Sequence, residues 1–116
     1  MTRVLLVHWH EAECAERAAR LAALGFDTAS HWRQDDGGSL TRALAADPPA
    51  AVVIDLGRLP SHGRAVATWL RGRKATRGVP IVFVPGDVEK TARLRQAFPD
   101  AAFAPWSRLR PALKRA

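Results

Sequence analysis

The sequence lacks the features that mark secreted and membrane-spanning proteins. It has a single cysteine, Cys14, which cannot form an internal disulfide, and this favours a reducing compartment. No apolar stretch approaches the ~20 residues that a membrane-spanning helix needs. The N-terminal segment lacks the small-residue cleavage site of a signal peptide and predicts a strand instead. We therefore expect a cytoplasmic protein that makes no contact with a membrane.

The motifs of common catalytic, metal and nucleotide sites are also lacking. The histidines do not occur in the HExxH spacing, and the chain has no CxxC pair. Gly57, Gly63 and Gly86 form neither a GxGxxG nor a GxxxxGK[ST] phosphate loop. His8 and His10 could share one strand face, and a metal site at this pair is the alternative. We otherwise expect no metal, no cofactor and no enzymatic activity.

Acidic residues are scarce in the second half of the chain, although the net charge is +7 overall. Residues 1–55 carry 5 basic and 8 acidic side chains, whereas residues 56–116 carry 13 basic and 3 acidic ones. No acidic residue occurs between Leu56 and Gly86. Such asymmetry predicts an acidic partner, either a protein face or a polyanion. A solvated basic surface without a specific ligand is the alternative.

Apolar runs and helical patterns alternate along the 116 residues. Short apolar runs predict strands at 3–8, 50–55, 81–84 and 101–104, and loose alternation of apolar and polar residues predicts another at 26–32. Helical patterns predict helices at 11–24, 39–46, 60–74, 88–98 and 107–115, with a loop at 34–38. Gly25 is predicted to end the first helix in the left-handed conformation. The alternation predicts a single α/β domain over residues 1–116, with a five-stranded parallel sheet and helices on both faces.

The most informative stretch is the apolar run at 50–54, which ends on Asp55. A short β-branched run of this kind is typical of a strand buried on both faces, in the middle of a parallel sheet. Asp55 then lies at the carboxyl end of the strand, where open α/β sheets bind ligands. On the first helix Cys14 falls on the apolar face and is expected to be a core thiol, whereas Arg17 falls on the polar face.

The order of these elements resembles the receiver domain of response regulators, the CheY-like form of the flavodoxin-like fold. The resemblance covers nearly the whole chain. It rests on the Gly25–Phe26 pair that enters the second strand, on VVIDL at 52–56 followed by Gly63, and on ATRGVPIVFV at 75–84. It implies a three-layer α/β/α architecture with Asp55 at the position of the phospho-acceptor aspartate.

Receiver domains use an acidic pair, an aspartate, a hydroxyl and a lysine for Mg²⁺-dependent phosphorylation. Matched by position, only Asp55 is retained, while the other positions carry His8, Trp9, Pro85 and Trp106. None of these four supplies the oxygen ligand, hydroxyl or ammonium group that the family uses. The resemblance thus implies a degenerate, or pseudo-, receiver in which Asp55 lacks a metal and a cationic partner.

We expect Trp9 and Trp106 to converge on Asp55 and to donate their indole N–H groups to it. Asp55 would then be a structural acceptor that holds loops. The alternatives are a working phosphoryl acceptor and an exposed aspartate without a specific role. Phe103 occupies the position of the aromatic residue that switches conformation in receivers.

The same resemblance places an effector or dimer face on the fourth predicted helix, the fifth strand and the last helix. Its basic candidates are Arg93, Arg95, Arg108, Arg110, Lys114 and Arg115. We therefore expect a stand-alone signalling module that binds an acidic protein partner without phosphorylation. The alternatives are a receiver phosphorylated on Asp55, and a polyanion or nucleic-acid binder that uses the basic C-terminal half. Nucleic acid is the weaker of these because the basic stretch 71–77 lacks interleaved aromatics. The oligomeric state stays open.

Overall fold

Five parallel strands form one sheet in the computed structural model of the chain, in the order β2-β1-β3-β4-β5. The strands are β1 (Arg3–Val7), β2 (Asp27–His31), β3 (Ala51–Asp55), β4 (Ile81–Val84) and β5 (Ala102–Phe103). The structure describes residues 2–8, 10–31, 44, 46–56, 60–84 and 91–115, without the side chains of 60–62, 114 and 115. The predicted five-stranded parallel sheet is confirmed.

The helices in these ranges follow the strands that they were predicted to follow. They are α1 (Glu11–Ala23), α2 (Pro60–Arg71), α3 (Ala92–Ala97) and α4 (Leu109–Arg115), the last preceded by a 3₁₀ turn at Trp106–Arg108. The helix predicted over 60–74 ends at Arg71, because the N–H of Gly72 is shared between the carbonyls of Thr68 and Trp69 and the chain then turns. Most of the predicted loop 34–38 and helix 39–46 lies outside the described residues.

Successive residues of each strand point to opposite faces of the sheet and contribute to two separate hydrophobic cores, one on each face. The core on the α1 and α4 face includes Val4, Leu6, Val53, Val82, Cys14, Leu21 and Leu109. The core on the α2 and α3 face includes Leu5, Val7, Val52, Ile54, Phe83, Leu70 and Leu94. Helices therefore cover both faces, which is the predicted three-layer arrangement, and every residue of β3 is buried.

Cys14 is buried in the first of these cores, as predicted for a core thiol. Burial raises the pKa of the Cys14 thiol, because the thiolate would lose its hydration. The side chain therefore behaves as a small apolar group.

The turn after α1 is fixed by Gly25, whose φ of 98° lies in the left-handed region. Its N–H donates to the carbonyl of Ala22 at 3.0 Å, and the N–H of Phe26 donates to the carbonyl of Leu21 at 3.2 Å. These two bonds form the Schellman motif that glycine favours at a helix end. The left-handed cap predicted at Gly25 is confirmed, and it directs the chain into the edge strand β2.

No helix in the described ranges is long and apolar enough to cross a bilayer.

Gly63 packs α2 closely against Ile54 and Leu56, which allows a test of the packing. A Cβ there would lie 2.6 Å from Cγ2 of Ile54 and 2.9 Å from Cδ2 of Leu56, whereas a Cβ at Gly78 meets nothing within 4 Å. We expect Gly63→Ala to lower the free energy of unfolding by about 1–3 kcal/mol relative to Gly78→Ala, because overpacking outweighs the gain in helix propensity. Urea denaturation measures the free energies of unfolding of both variants. Equal values would show that Ile54 and Leu56 move to accommodate the added methyl group.

Candidate functional site: the Asp55 cluster

The site is built where the carboxyl ends of three adjacent strands meet. β1 pairs with β3 so that Val7 lies opposite Ile54, and β3 pairs with β4 so that Asp55 lies opposite Val84. His8, the residue after β1, is thereby brought beside Asp55. The turn that follows β5 carries Trp106 back across β4 towards the same carboxylate.

Asp55 is a buried carboxylate, with 7% of the residue exposed. Its Oδ2 accepts a hydrogen bond from the Trp106 indole Nε1 at 3.2 Å. The same oxygen lies 3.5 Å from Nε2 of His8 and 3.8 Å from Nε of Arg17. Three nitrogen groups from three different segments therefore surround one carboxylate oxygen. The contact from Trp106 is the one that the sequence predicted, whereas Trp9 lies outside the described residues.

His8 is also buried, with 2% of the residue exposed. Its Nδ1 accepts a hydrogen bond from the backbone N–H of His10 at 2.9 Å, so this nitrogen carries no proton. The ring proton therefore lies on Nε2, which faces Asp55 and, at 3.8 Å, the carboxylate of Glu13. The position of an acidic metal ligand in receivers is thus taken here by an N–H donor.

Arg17 is the residue of this site that the sequence analysis missed. Its guanidinium carbon lies 5.7 Å from the centroid of the Trp106 ring, and Nη1 donates to Glu16 at 2.8 Å. Its Nε is buried and makes no hydrogen bond within the part of the chain that the structure describes. The expectation that Asp55 lacks a cationic partner is therefore wrong.

The position of Arg17 on α1 explains both the error and the contact. Arg17 lies three residues after the buried Cys14 and four after Glu13, so it borders the apolar stripe of the helix. A long side chain at that border covers apolar surface and still reaches the end of β3, with 23% of the side chain exposed. Its spacing from Cys14 could have indicated that Arg17 borders the buried face of the helix. None of the functional groups that define the receiver resemblance lies on this helix, so Arg17 was not singled out.

The groups around Asp55 do not suit the Mg²⁺ that the receiver resemblance implies. Mg²⁺ needs oxygen ligands, whereas the groups directed at Oδ2 include an indole N–H, an imidazole N–H and a guanidinium. The positive charge of Arg17 also opposes a second cation at the same oxygen. Within the described ranges no group of three or more His, Cys, Asp or Glu side chains could hold a metal ion, and the His8–His10 pair gains no third ligand.

Phe103, the predicted switch aromatic, is held on both sides of its ring. It stacks on the buried Phe83 with centroids 5.1 Å apart and planes inclined by 20°. On the other side the guanidinium carbon of Arg95 lies 4.3 Å from the ring centroid, and Arg95 Nε donates to Thr91 Oγ1 at 3.1 Å. Pro85, at the predicted hydroxyl position, lies outside the described residues.

Four of the six basic residues of the predicted partner face have side chains that the structure describes. Arg93 and Arg108 are exposed, whereas Arg95 is half-buried against Phe103. Arg110 lines a cavity of about 430 Å³ together with Leu24 and Gly25, on the α1 side of the molecule. Residues two positions apart on a helix point in nearly opposite directions, so the side chains of Arg108 and Arg110 face different sides of the molecule. The side chains of Lys114 and Arg115 lie outside the described residues.

Comparison with known proteins identifies the fold. No family model and no curated protein matches the sequence. Among solved structures, the chain is similar to a sensor protein from Polaromonas sp. JS666, with 23% identity and a TM-score of 0.76 over 99% of this chain and 94% of that one. It is also similar to a response regulator from Desulfuromonas acetoxidans, with 17% identity and a TM-score of 0.72 over 99% and 95%.

A third similar structure is the receiver domain of a sensor histidine kinase from Pseudomonas aeruginosa PAO1, which holds a magnesium ion in its active-site cleft. It shares 21% identity with a TM-score of 0.70, over 98% of this chain and 95% of that one. These similarities extend over nearly the full length of each chain. The chain therefore has the fold of the CheY-like receiver domain of response regulators, as its sequence predicted.

Proposed function

We propose that the chain is a response-regulator-like signalling module that works through protein–protein contacts, without enzymatic activity and without Mg²⁺-dependent phosphorylation. One observation carries the proposal: Oδ2 of the buried Asp55 is surrounded by the N–H groups of Trp106, His8 and Arg17. A single buried thiol and a signalling role fit a cytoplasmic protein.

The chemistry of phosphoryl transfer explains why this arrangement argues against phosphorylation. The aspartate must attack a phosphorus atom in line, while cations neutralise the charge that develops on the phosphoryl oxygens. Here Oδ2 already accepts the Trp106 hydrogen bond and faces two further nitrogens, so attack by this oxygen requires these contacts to break. Each ~1.4 kcal/mol added to the barrier slows the reaction about tenfold.

Asp55 acts in this proposal as a structural acceptor that joins three segments. It connects the end of β3 to the β1–α1 turn through His8, to α1 through Arg17 and to the turn before α4 through Trp106. The two-sided packing of Phe103 favours one fixed state at the neighbouring β5 edge. The module would therefore present its surface to a partner constitutively.

The partner surface that we propose is smaller than the one expected from the sequence. It consists of the exposed Arg93 and Arg108. Exposed arginines favour a partner with carboxylates, because guanidinium binds carboxylate in two-point geometry. An acidic protein is accordingly the proposed partner.

Arg17 favours one alternative, a receiver in which this arginine supplies the charge that metal and lysine supply elsewhere. Guanidinium groups stabilise phosphoryl oxygens in enzymes that transfer phosphoryl groups. The first two predictions below test the structural role of Asp55, and the third separates the two functions.

Substitution of Asp55 tests its structural role. Asp55→Ala leaves the Trp106 N–H without its acceptor and removes the carboxylate that pairs with Arg17, so we expect a loss of about 2–4 kcal/mol in the free energy of unfolding. Asp55→Asn retains an acceptor oxygen for the indole, and the loss should be about half as large. Urea denaturation gives both values, and an Asp55→Ala protein of unchanged stability would remove the structural role.

A double-mutant cycle measures the coupling of Arg17 to Asp55. We expect Arg17→Met and Asp55→Asn to show a coupling energy of about 0.5–3 kcal/mol, because the two groups form a partly buried ion pair. Arg20→Met is the matched control, since Arg20 lies one turn away and pairs with Glu16 at 3.4 Å. Additive effects of Arg17→Met and Asp55→Asn would show that the two side chains are close without stabilising each other.

The indole N–H resonance of Trp106 reports directly on phosphorylation. We expect no shift on addition of Mg²⁺ with beryllofluoride, a phosphoryl mimic, because Asp55 is already engaged by protein groups. A receiver domain that retains all the family's functional groups, measured under the same conditions, is the positive control. Shifts that extend from Trp106 to Phe103 would support the phosphorylated alternative, and Arg17→Met should then abolish them.

A further inference from the structure

The turn between α2 and β4 presents three cations to solvent. Arg73, Lys74 and Arg77 are exposed, and none of them forms an ion pair within the described part of the chain. The sequence has no acidic residue from 60 to 84. We call residues 72–78 the cationic turn. It precedes the amino end of β4, whereas Asp55 lies at the carboxyl ends of the strands. The inference below is independent of the function proposed above.

The backbone of the cationic turn is held from the inside. Arg71 Nη1 donates to the carbonyls of Arg77 at 3.1 Å and Val79 at 2.7 Å, and its Nη2 lies 3.0 Å from Asp100. The buried Thr76 hydroxyl donates to the carbonyl of Leu70 at 2.8 Å. Arg71 and Asp100 thus neutralise each other, and the outward cations stand on a fixed scaffold. A ligand would therefore lose little affinity to ordering of the loop.

An aromatic ring adjoins these cations. Trp69, on the last turn of α2, is half-buried, and the guanidinium carbon of Arg73 lies 5.5 Å from its ring centroid. The basic stretch 71–77 has no aromatic residue of its own, but Trp69 lies four residues before Arg73 and the end of α2 brings the two side chains together. Arginine and tryptophan both stack on planar ligands.

We infer that Trp69 and the cationic turn form a binding surface for single-stranded nucleic acid. Arg73, Lys74 and Arg77 would contact phosphates, and a base would stack on the Trp69–Arg73 pair. A groove of cations beside an aromatic platform is how proteins bind single strands without sequence preference. An acidic polypeptide would use the charges but gain little from the indole, so the aromatic ring favours nucleic acid.

Fluorescence polarisation with a labelled oligothymidylate of about 12 nucleotides tests the inference. Three phosphate contacts predict that log K falls with log salt with a slope of about −2 between about 50 and about 200 mM. The triple variant Arg73→Gln, Lys74→Gln, Arg77→Gln should bind about tenfold or more weakly, with a slope near zero. Trp69→Leu, checked for folding by its thermal midpoint, should weaken binding about fivefold or more without changing the slope.

A second triple variant, Arg93→Gln, Arg108→Gln, Arg110→Gln, removes the same charge elsewhere and should bind within about twofold of the unaltered protein. An equal loss in both triple variants would overturn the inference, because net charge alone would then explain binding. So would absence of binding at low salt, or labelled polyglutamate binding as tightly as the oligonucleotide. The second triple variant also alters the proposed protein-partner surface. If it loses partner binding but still binds the oligonucleotide, the two functions are distinguished.

Discussion

The burial of β3 on both faces is the constraint on which the site depends. Every residue of the strand is buried, and its one charged residue, Asp55, stands at the carboxyl end. That end lies between the ends of β1 and β4, where only 7% of the residue is exposed. A carboxylate in such a position loses much of its hydration and must be compensated by neighbouring groups.

The compensation comes from the protein itself. The imidazole of His8, the guanidinium of Arg17 and the indole of Trp106 direct nitrogen groups at one oxygen. In a receiver with clustered carboxylates, mutual repulsion creates a demand for a cation. Here one carboxylate faces one fixed cation and two N–H groups, and that demand is already met. In the function that we propose, this position of the fold joins segments and does not respond to a ligand.

Local patterns were enough to predict most of this architecture. Apolar runs fix β1, β3 and β4, Gly25 fixes the exit from α1, and the run that ends at Asp55 places the carboxylate at the sheet edge. The Trp106 contact could be predicted because a buried indole needs an acceptor. Arg17 could not, because its role depends on how far a side chain at the border of a helix face reaches. The separation of Arg110 from Arg108 and the pairing of Trp69 with Arg73 likewise depend on direction around a helix.

The Trp106–Asp55 hydrogen bond joins residues 51 positions apart, with β4 lying between β3 and β5 in the sheet. Closing a loop of that length costs chain entropy before any contact compensates for it. The turn after β5 reaches the end of β3 when β4 lies against β3 and β5 lies against β4. We therefore expect the bond to form late in folding, as the C-terminal half of the sheet closes onto the N-terminal half.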